Sequence, residues 1–108
     1  MDHWDFSALD VQPHAPRVLS SAPEGRAVAL VLPAGEHLTD HQVHERAWIV
    51  VLGGEVEIST AAGRVAGGTG LVAELAPNER HAVLARTDAR LLLLLTPWPG
   101  EGHPGARP

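Results

Sequence analysis

Histidine is the residue type with the greatest chemical potential in this sequence. The 108 residues include 7 His and no Cys, so metal binding or acid–base chemistry would depend on imidazole and carboxylate groups. We expect His37, His41 and His44 in a loop between two strands, and His81 at the start of a later strand. The other histidines fall in irregular terminal segments, where we expect surface positions: His3, His14 and His103.

Strand alternation suggests how two of these histidines would meet. Alternate residues of a strand share a face, so His81 lies on the same face as Val83, and His41, Val43 and Glu45 share a face if their segment is extended. One inward histidine from each of two strands, with a nearby carboxylate, would form a partial two-histidine, one-carboxylate metal site. The competing interpretation is that the two histidines are unrelated, because sequence spacing alone does not bring them together.

The charge and composition of the chain argue against several classes of partner. The net charge is −5, and the 8 basic residues are all Arg and scattered, so no basic stripe is available for nucleic-acid phosphates. The apolar run Leu91–Leu95 is too short to span a bilayer, and the acidic N-terminus does not resemble a signal peptide. We therefore expect a cytoplasmic protein that binds neither nucleic acid nor membrane. The absence of Lys, with many Ala, Arg, Gly and Pro, suggests a bacterial source.

Short apolar runs separated by turn residues predict an all-β domain. Strands are predicted over Arg26–Pro33 and Ala47–Leu52, and Gly53-Gly54 predicts a hairpin from the second of these into the alternating segment EVEIS. Further strands are predicted in the segments GLVAEL, HAVLAR and ARLLLLL. About seven or eight strands with turns every eight to twelve residues, and no helical period, favour an antiparallel sandwich or barrel.

The chain divides into three parts by composition. Residues 1–25 are rich in proline and form an N-terminal arm with one short strand, and residues 26–96 form the β-barrel. Residues 97–108 form a Pro/Gly-rich C-terminal tail, which cannot continue a strand because proline lacks the ladder donor. This tail is either disordered or anchored by Trp98 against the barrel or a partner subunit.

Two segments resemble the motifs of the cupin superfamily. The stretch Leu32–Ile58 resembles the first motif, with Gly35, His41 and Gly54 at the positions of its first glycine, first histidine and closing glycine. The stretch Gly70–Ala85 resembles the second motif.

In that second motif, Gly70 and His81 have the matching spacing, and Pro77-Asn78 stands in place of the usual turn. The chain is similar to small single-domain bacterial cupins of unassigned function. The resemblance implies a single antiparallel β-barrel, or jelly roll, with little or no helix.

The sequence departs from the family's ligand pattern. Of the family's four metal-ligand positions, two are kept, His41 and His81. The positions of the second histidine and of the glutamate hold Val43 and Ala47. His44 and Glu45 are displaced by one or two residues, and a bulge or tight turn would bring either inward. The resemblance therefore implies a weakened metal site of His41 and His81 with His44 or Glu45.

The implied pocket would hold a small molecule, and a divalent transition metal (Zn, Fe, Ni or Mn) if one binds. Its predicted lining is Val43, Ala47, Ile49, Val51, Leu75 and Val83. Three functions remain open: a small-molecule-binding protein, a metal-dependent enzyme of the dioxygenase or isomerase type, and a structural or accessory homodimer. In the dimer, Trp48 and the run Leu91–Leu95 would form the interface. Alternatively, the pocket holds no metal, and its histidines hydrogen-bond each other, water or the backbone.

Overall fold

The computed structural model describes residues 1–41 and 43–97, without the side chains of residues 39–41. These residues form β-strands, turns and irregular segments, and within these ranges no helix is long and apolar enough to cross a membrane. All strand pairings are antiparallel. In chain order the strands are β1 (Arg17–Ala22), β2 (Gly25–Leu32), β3 (His37–His41), β4 (Arg46–Gly53), β5 (Val56–Thr60), β6 (Gly63–Gly67), β7 (Val72–Leu75), β8 (His81–Ala85) and β9 (Ala89–Thr96).

The strands form two sheets, one in the order β1-β2-β9-β4-β7 and the other in the order β3-β8-β5-β6. From β2 onward the chain crosses repeatedly from one sheet to the other, and β5 and β6 alone are sequential neighbours in the second sheet. This is a jelly-roll arrangement, so the predicted all-β antiparallel fold is confirmed. The pairings of the described strands give two separate sheets, so closure into a barrel stays a prediction.

The core lies between the sheets and is built from aliphatic side chains. In β4, Ile49 and Val51 are buried, whereas the alternate residues Trp48 and Val50 are only partly buried. This period of two is what a strand with one face on a core requires. The buried cluster consists of Leu30, Leu32, Ala47, Ile49, Val51, Val56, Ile58, Leu75, Val83, Ala85, Ala89 and Leu91.

The predicted hairpin at Gly53-Gly54 is wrong. β4 pairs with β7 and β9, whereas β5 pairs with β6 and β8, so these glycines carry the chain from one sheet to the other. Gly54 has a φ of 76°, and a Cβ there would collide with the carbonyl oxygen of Asp88. The glycine is needed because the crossing passes against the β8–β9 turn. A two-residue loop, Ala61-Ala62, does connect β5 to β6.

The prediction of a loop around the clustered histidines is wrong for residues 37–41. These residues form strand β3. β3 is the edge strand of the four-stranded sheet and pairs with β8. An edge strand needs less apolar surface than a central one, so the polar segment HLTDH still gains backbone hydrogen bonds there. His44 lies outside the strands, as expected.

The N-terminal residues pack against the chain's own sheet. Within the predicted arm, β1 pairs with β2. Farther upstream, Nη2 of Arg90 donates hydrogen bonds to the carbonyl oxygens of Phe6 and Leu9, both at 2.8 Å. The Arg90 guanidinium also lies 5.0 Å from the centre of the Phe6 ring, and Val11 is buried. The prediction for the tail beyond Pro97, including its anchor Trp98, lies outside the described residues.

Candidate functional site

One end of the jelly roll brings the two predicted histidines side by side. β3 ends at His41 and β8 begins at His81, and the backbone register places these residues opposite each other. On the other side of β8, His81 is opposite Thr60, the last residue of β5. We call this end, with residues 43–45 and the turn at residues 76–80, the His81 end. The side chain of His41 lies outside the described part of the chain.

His81 is held inside the sandwich in a defined orientation. Its side chain is 5 % exposed and shares the inner face of β8 with Val83 and Ala85. Its Nδ1 lies 3.1 Å from the backbone oxygen of Glu79. A carbonyl oxygen only accepts hydrogen bonds, so Nδ1 carries the proton, and in the neutral ring Nε2 carries the lone pair. Histidines that bind metal through Nε2 are commonly oriented by this kind of second hydrogen bond.

Glu45 and His44, the two displaced ligand candidates, have opposite environments. Glu45 directly precedes β4 and is 4 % exposed, as expected from its alternation with the buried Ala47. His44 is exposed, and its Nδ1 lies 2.7 Å from Oδ1 of Asn78. Since an amide oxygen only accepts, this hydrogen bond also leaves the lone pair of the neutral ring on Nε2. The structure thus provides a buried carboxylate and an outer imidazole next to each other in the chain.

Asn78 connects the β7–β8 turn to the segment that carries these candidates. Its backbone N–H donates to the carbonyl of Val43 at 2.7 Å, and its side chain contacts His44. Asn78 has a φ of 66°, a conformation that asparagine tolerates better than most residues. Pro77-Asn78 was predicted only as a turn, and the positioning role of Asn78 was not predicted. The feature of the sequence that could have indicated this role is Pro77-Asn78 itself, which stands in place of the usual turn of the second motif.

A pocket of about 310 Å³ lies between the β5–β6 hairpin and β7. His81 does not line it, but two residues that contact or pair with His81, Glu79 and Thr60, do. Ile58 and Leu75 contribute apolar lining, and Thr60 and Glu79 contribute polar lining next to the histidine. This volume is at the lower end of the range of small-molecule sites. Glu74 also lines the pocket, and its Oε2 accepts a hydrogen bond from Arg46 at 3.0 Å.

The residues predicted to line the pocket are mainly core residues. Of these, Leu75 also lines the pocket between the β5–β6 hairpin and β7, and Val43 is partly buried against the core. The other predicted lining residues are fully within the buried cluster: Ala47, Ile49, Val51 and Val83. Among the side chains that the structure describes, no group of three or more His, Cys, Asp or Glu could hold a metal ion. That set does not include the side chain of His41.

The fold is shared with solved cupin structures. No family model matches the sequence, and no curated protein matches it. An RmlC-like cupin protein from Desulfovibrio desulfuricans aligns with a TM-score of 0.77 and 22 % identity, covering 90 % of this chain and 96 % of that one. A cupin superfamily protein from Desulfitobacterium hafniense aligns with a TM-score of 0.76 and 13 % identity, covering 84 % and 85 % of the two chains.

A third similar structure is an RmlC-like cupin family protein with a double-stranded β-helix fold from Methanocaldococcus jannaschii. It aligns with a TM-score of 0.73 and 15 % identity, covering 83 % of this chain and 85 % of that one. At these identities the likeness concerns the fold. The chain therefore has the cupin fold, and the resemblance to cupins noted in the sequence is confirmed.

Proposed function

We propose that this protein binds a small molecule in the pocket at the His81 end, with a divalent transition metal held by His41 and His81. The observation that supports this most strongly is the state of His81, which is buried and has its Nδ1 proton directed to the Glu79 carbonyl. A neutral imidazole held in this way is a suitable ligand for Zn, Fe or Ni, and a carboxylate ligand would extend the choice to Mn.

The backbone register adds a second observation. His41 and His81 are directly opposite across β3 and β8, and such residues have Cβ atoms about 4.5–5.5 Å apart in antiparallel ladders. Two imidazoles at that separation would reach a common ion. Two protein ligands alone bind weakly and leave open positions, so a bound metal would contribute Lewis acidity toward the small molecule.

Metal titration of the chelator-treated protein tests this proposal. We expect Zn²⁺ to bind with a stoichiometry of about one per chain by calorimetry, and His81→Ala or His41→Ala to weaken binding by about 100-fold. His14→Ala is the matched control, because His14 is exposed and its Nε2 contacts the Glu36 carboxylate. Binding that persists in both site variants, or that fails only in the control, would contradict the proposal.

A metal-dependent enzyme, such as a dioxygenase or isomerase, is the second candidate function. The burial of Glu45, at 4 % exposure, favours it because a carboxylate would complete a two-histidine, one-carboxylate set. Glu45→Gln should then weaken Zn²⁺ and Mn²⁺ binding more than His44→Gln does. The reverse order would assign the third ligand to His44. No effect from either variant would leave a two-ligand site and remove this candidate.

The remaining sequence predictions belong to the same proposal. We place the site in the domain formed by residues 26–96, with the arm (1–25) and the tail (97–108) outside it, and the protein in the bacterial cytoplasm. A structural or accessory homodimer is the third candidate, and the partly buried outer residues Trp48, Leu92 and Leu94 would be its interface. A doubling of mass in light scattering at micromolar concentration would support the dimer.

A further inference from the structure

We propose that a pocket at the start of β9, lined by Asp88 and Arg90, binds a small zwitterion with one ammonium group, one carboxylate group and a short aliphatic side chain. An α-amino acid such as L-valine has this chemistry. We call this site the β9-start pocket. The inference does not depend on the proposed function, because the β9-start pocket shares no lining residue with the pocket between the β5–β6 hairpin and β7.

The β9-start pocket has a volume of about 440 Å³, which is within the range of small-molecule sites. It forms where the N-terminal arm, the end of β2 with the turn after it, the crossing from β4 to β5 and the β8–β9 turn meet. Its apolar walls include Pro13, Val31 and Pro33. Gly53 and Gly54, which also line it, have no side chains to fill it.

Two residues of opposite charge line the pocket without neutralising each other. Asp88 and Arg90 are two residues apart in the chain, on either side of the buried Ala89. In the part of the chain that the structure describes, neither side chain forms an ion pair with the other or with any other charged group. Both charges can therefore interact with a ligand.

The Asp88 carboxylate is held in place and keeps acceptor capacity. Its Oδ1 accepts a hydrogen bond from the backbone N–H of Ala34 at 2.8 Å, which ties the carboxylate to the turn after β2. An ionised carboxylate has about four lone-pair sites on its two oxygens, so Oδ2 can accept from a ligand ammonium. A hydrogen bond between two charged groups is roughly twice as strong as one between neutral groups.

Arg90 is also held in place and keeps donor capacity. Its Nη2 donates to the carbonyl oxygens of Phe6 and Leu9, which are neutral acceptors and leave the positive charge uncompensated. Its Nε is buried and has no hydrogen-bond partner among the described residues. A guanidinium carries five N–H donors, so Nη1 is the group that would donate to a ligand carboxylate.

This pair of charges favours a zwitterion over a simple anion or cation. A ligand with only a carboxylate is attracted by Arg90 and repelled by Asp88, and a ligand with only an ammonium group has the reverse problem. A zwitterion places an opposite charge beside each residue. The apolar walls at Pro13, Val31 and Pro33 then favour a short aliphatic side chain, because its surface is removed from water there.

The test titrates the full ¹⁵N-labelled chain with L-valine and follows its backbone amide resonances. The N–H of Ala34 donates to Asp88, so its resonance should shift saturably when the ligand ammonium reaches this carboxylate. The N–H of Ala62, which donates to Thr60 at the other pocket, should not shift and is the internal reference. Isovalerate, which is L-valine without its amino group, and isobutylamine, which lacks its carboxylate, should each bind at least about tenfold more weakly.

Asp88→Asn separates the charge of this residue from its hydrogen bond. The amide oxygen can still accept from Ala34, but the negative charge is lost, so L-valine should bind at least about tenfold more weakly and isovalerate no more weakly than before. Asp10→Asn is the matched control and should leave L-valine binding unchanged. Asp10 also accepts a hydrogen bond through Oδ1, from Gln12, and does not line the pocket.

The comparison of L-valine with its two analogues uses the unmodified chain, so it does not require any variant to fold. A saturable shift of Ala34 with L-valine that is weakened in both analogues and in Asp88→Asn, but not in Asp10→Asn, supports the proposal. No saturable shift up to about 50 mM L-valine, equal affinity for either analogue, or equal losses in the two variants would overturn it.

Discussion

Because Nδ1 of His81 contacts the Glu79 carbonyl, the structural role of Nδ1 and the proposed metal-binding role of Nε2 can be tested separately. His81→Asn keeps an N–H donor near the position of Nδ1 but removes Nε2, whereas His81→Ala removes both. If Nδ1 supports the fold and Nε2 binds the metal, the two variants should lose metal binding equally and differ in stability.

The size of the stability difference follows from the local structure. His81→Ala leaves a partly buried carbonyl without its donor, which costs about 1–2 kcal/mol, and removes a ring that is 5 % exposed. We expect a total loss of about 2–4 kcal/mol in the free energy of unfolding. For His81→Asn, which retains the hydrogen bond, we expect about 1 kcal/mol.

Urea denaturation in the presence of EDTA measures this difference in the free energy of unfolding, because the chelator removes any stabilisation that bound metal would add. Zn²⁺ calorimetry on the same samples measures the ligand role. Equal destabilisation by Asn and Ala would refute the structural role of Nδ1. Zn²⁺ affinity close to that of the unmodified protein in His81→Asn would refute the assignment of Nε2 as the ligand atom.

Two further predictions concern the fold away from the His81 end. Gly54→Ala should destabilise the protein by more than about 2 kcal/mol in urea denaturation, because the new Cβ meets the Asp88 carbonyl at a positive φ. Gly70→Ala has a positive φ but no such neighbour and should cost about 1–2 kcal/mol; equal losses would refute the clash argument. The hydrogen bond from Arg86 is the main cause that lowers the pKa of Glu57 below its ordinary value of 4.5. Its contribution is therefore present above this value and lost as the pH falls through the lowered pKa, so Glu57→Gln should reduce Tm at about pH 7, and this reduction should shrink as the pH is lowered below 4.5.

The sequence predicted the features of the fold that local patterns determine. Strands with β-branched or leucine-rich alternation, such as β2, β4 and β9, were predicted close to their observed positions. β3 was missed because its polar composition resembles a loop, and its strand conformation depends on pairing with β8. The two glycines at residues 53–54 were misinterpreted for a related reason: local sequence shows a turn but not which sheet receives the next strand.

The candidate site could be anticipated only in part. The histidines at the ends of β3 and β8 were selected from their residue type and motif spacing, but their register depends on a long-range pairing. The irregularity between Leu38 and His41 shows why counting along the sequence cannot fix that register. The burial of Glu45 and the contact between Asn78 and His44 likewise arise from packing between distant segments.

The attachment of the N-terminal residues to Arg90 has a practical consequence for how the protein is handled. Arg90 is near the start of β9, next to the crossing from β4 to β5, whereas the His81 end lies where β9 finishes. A tag or surface linker fused before Met1 would therefore emerge remote from the ligand pocket. The same fusion placed after β9 would emerge on the pocket's side of the molecule, so immobilisation through the amino terminus is the orientation that leaves the pocket accessible to ligands in solution.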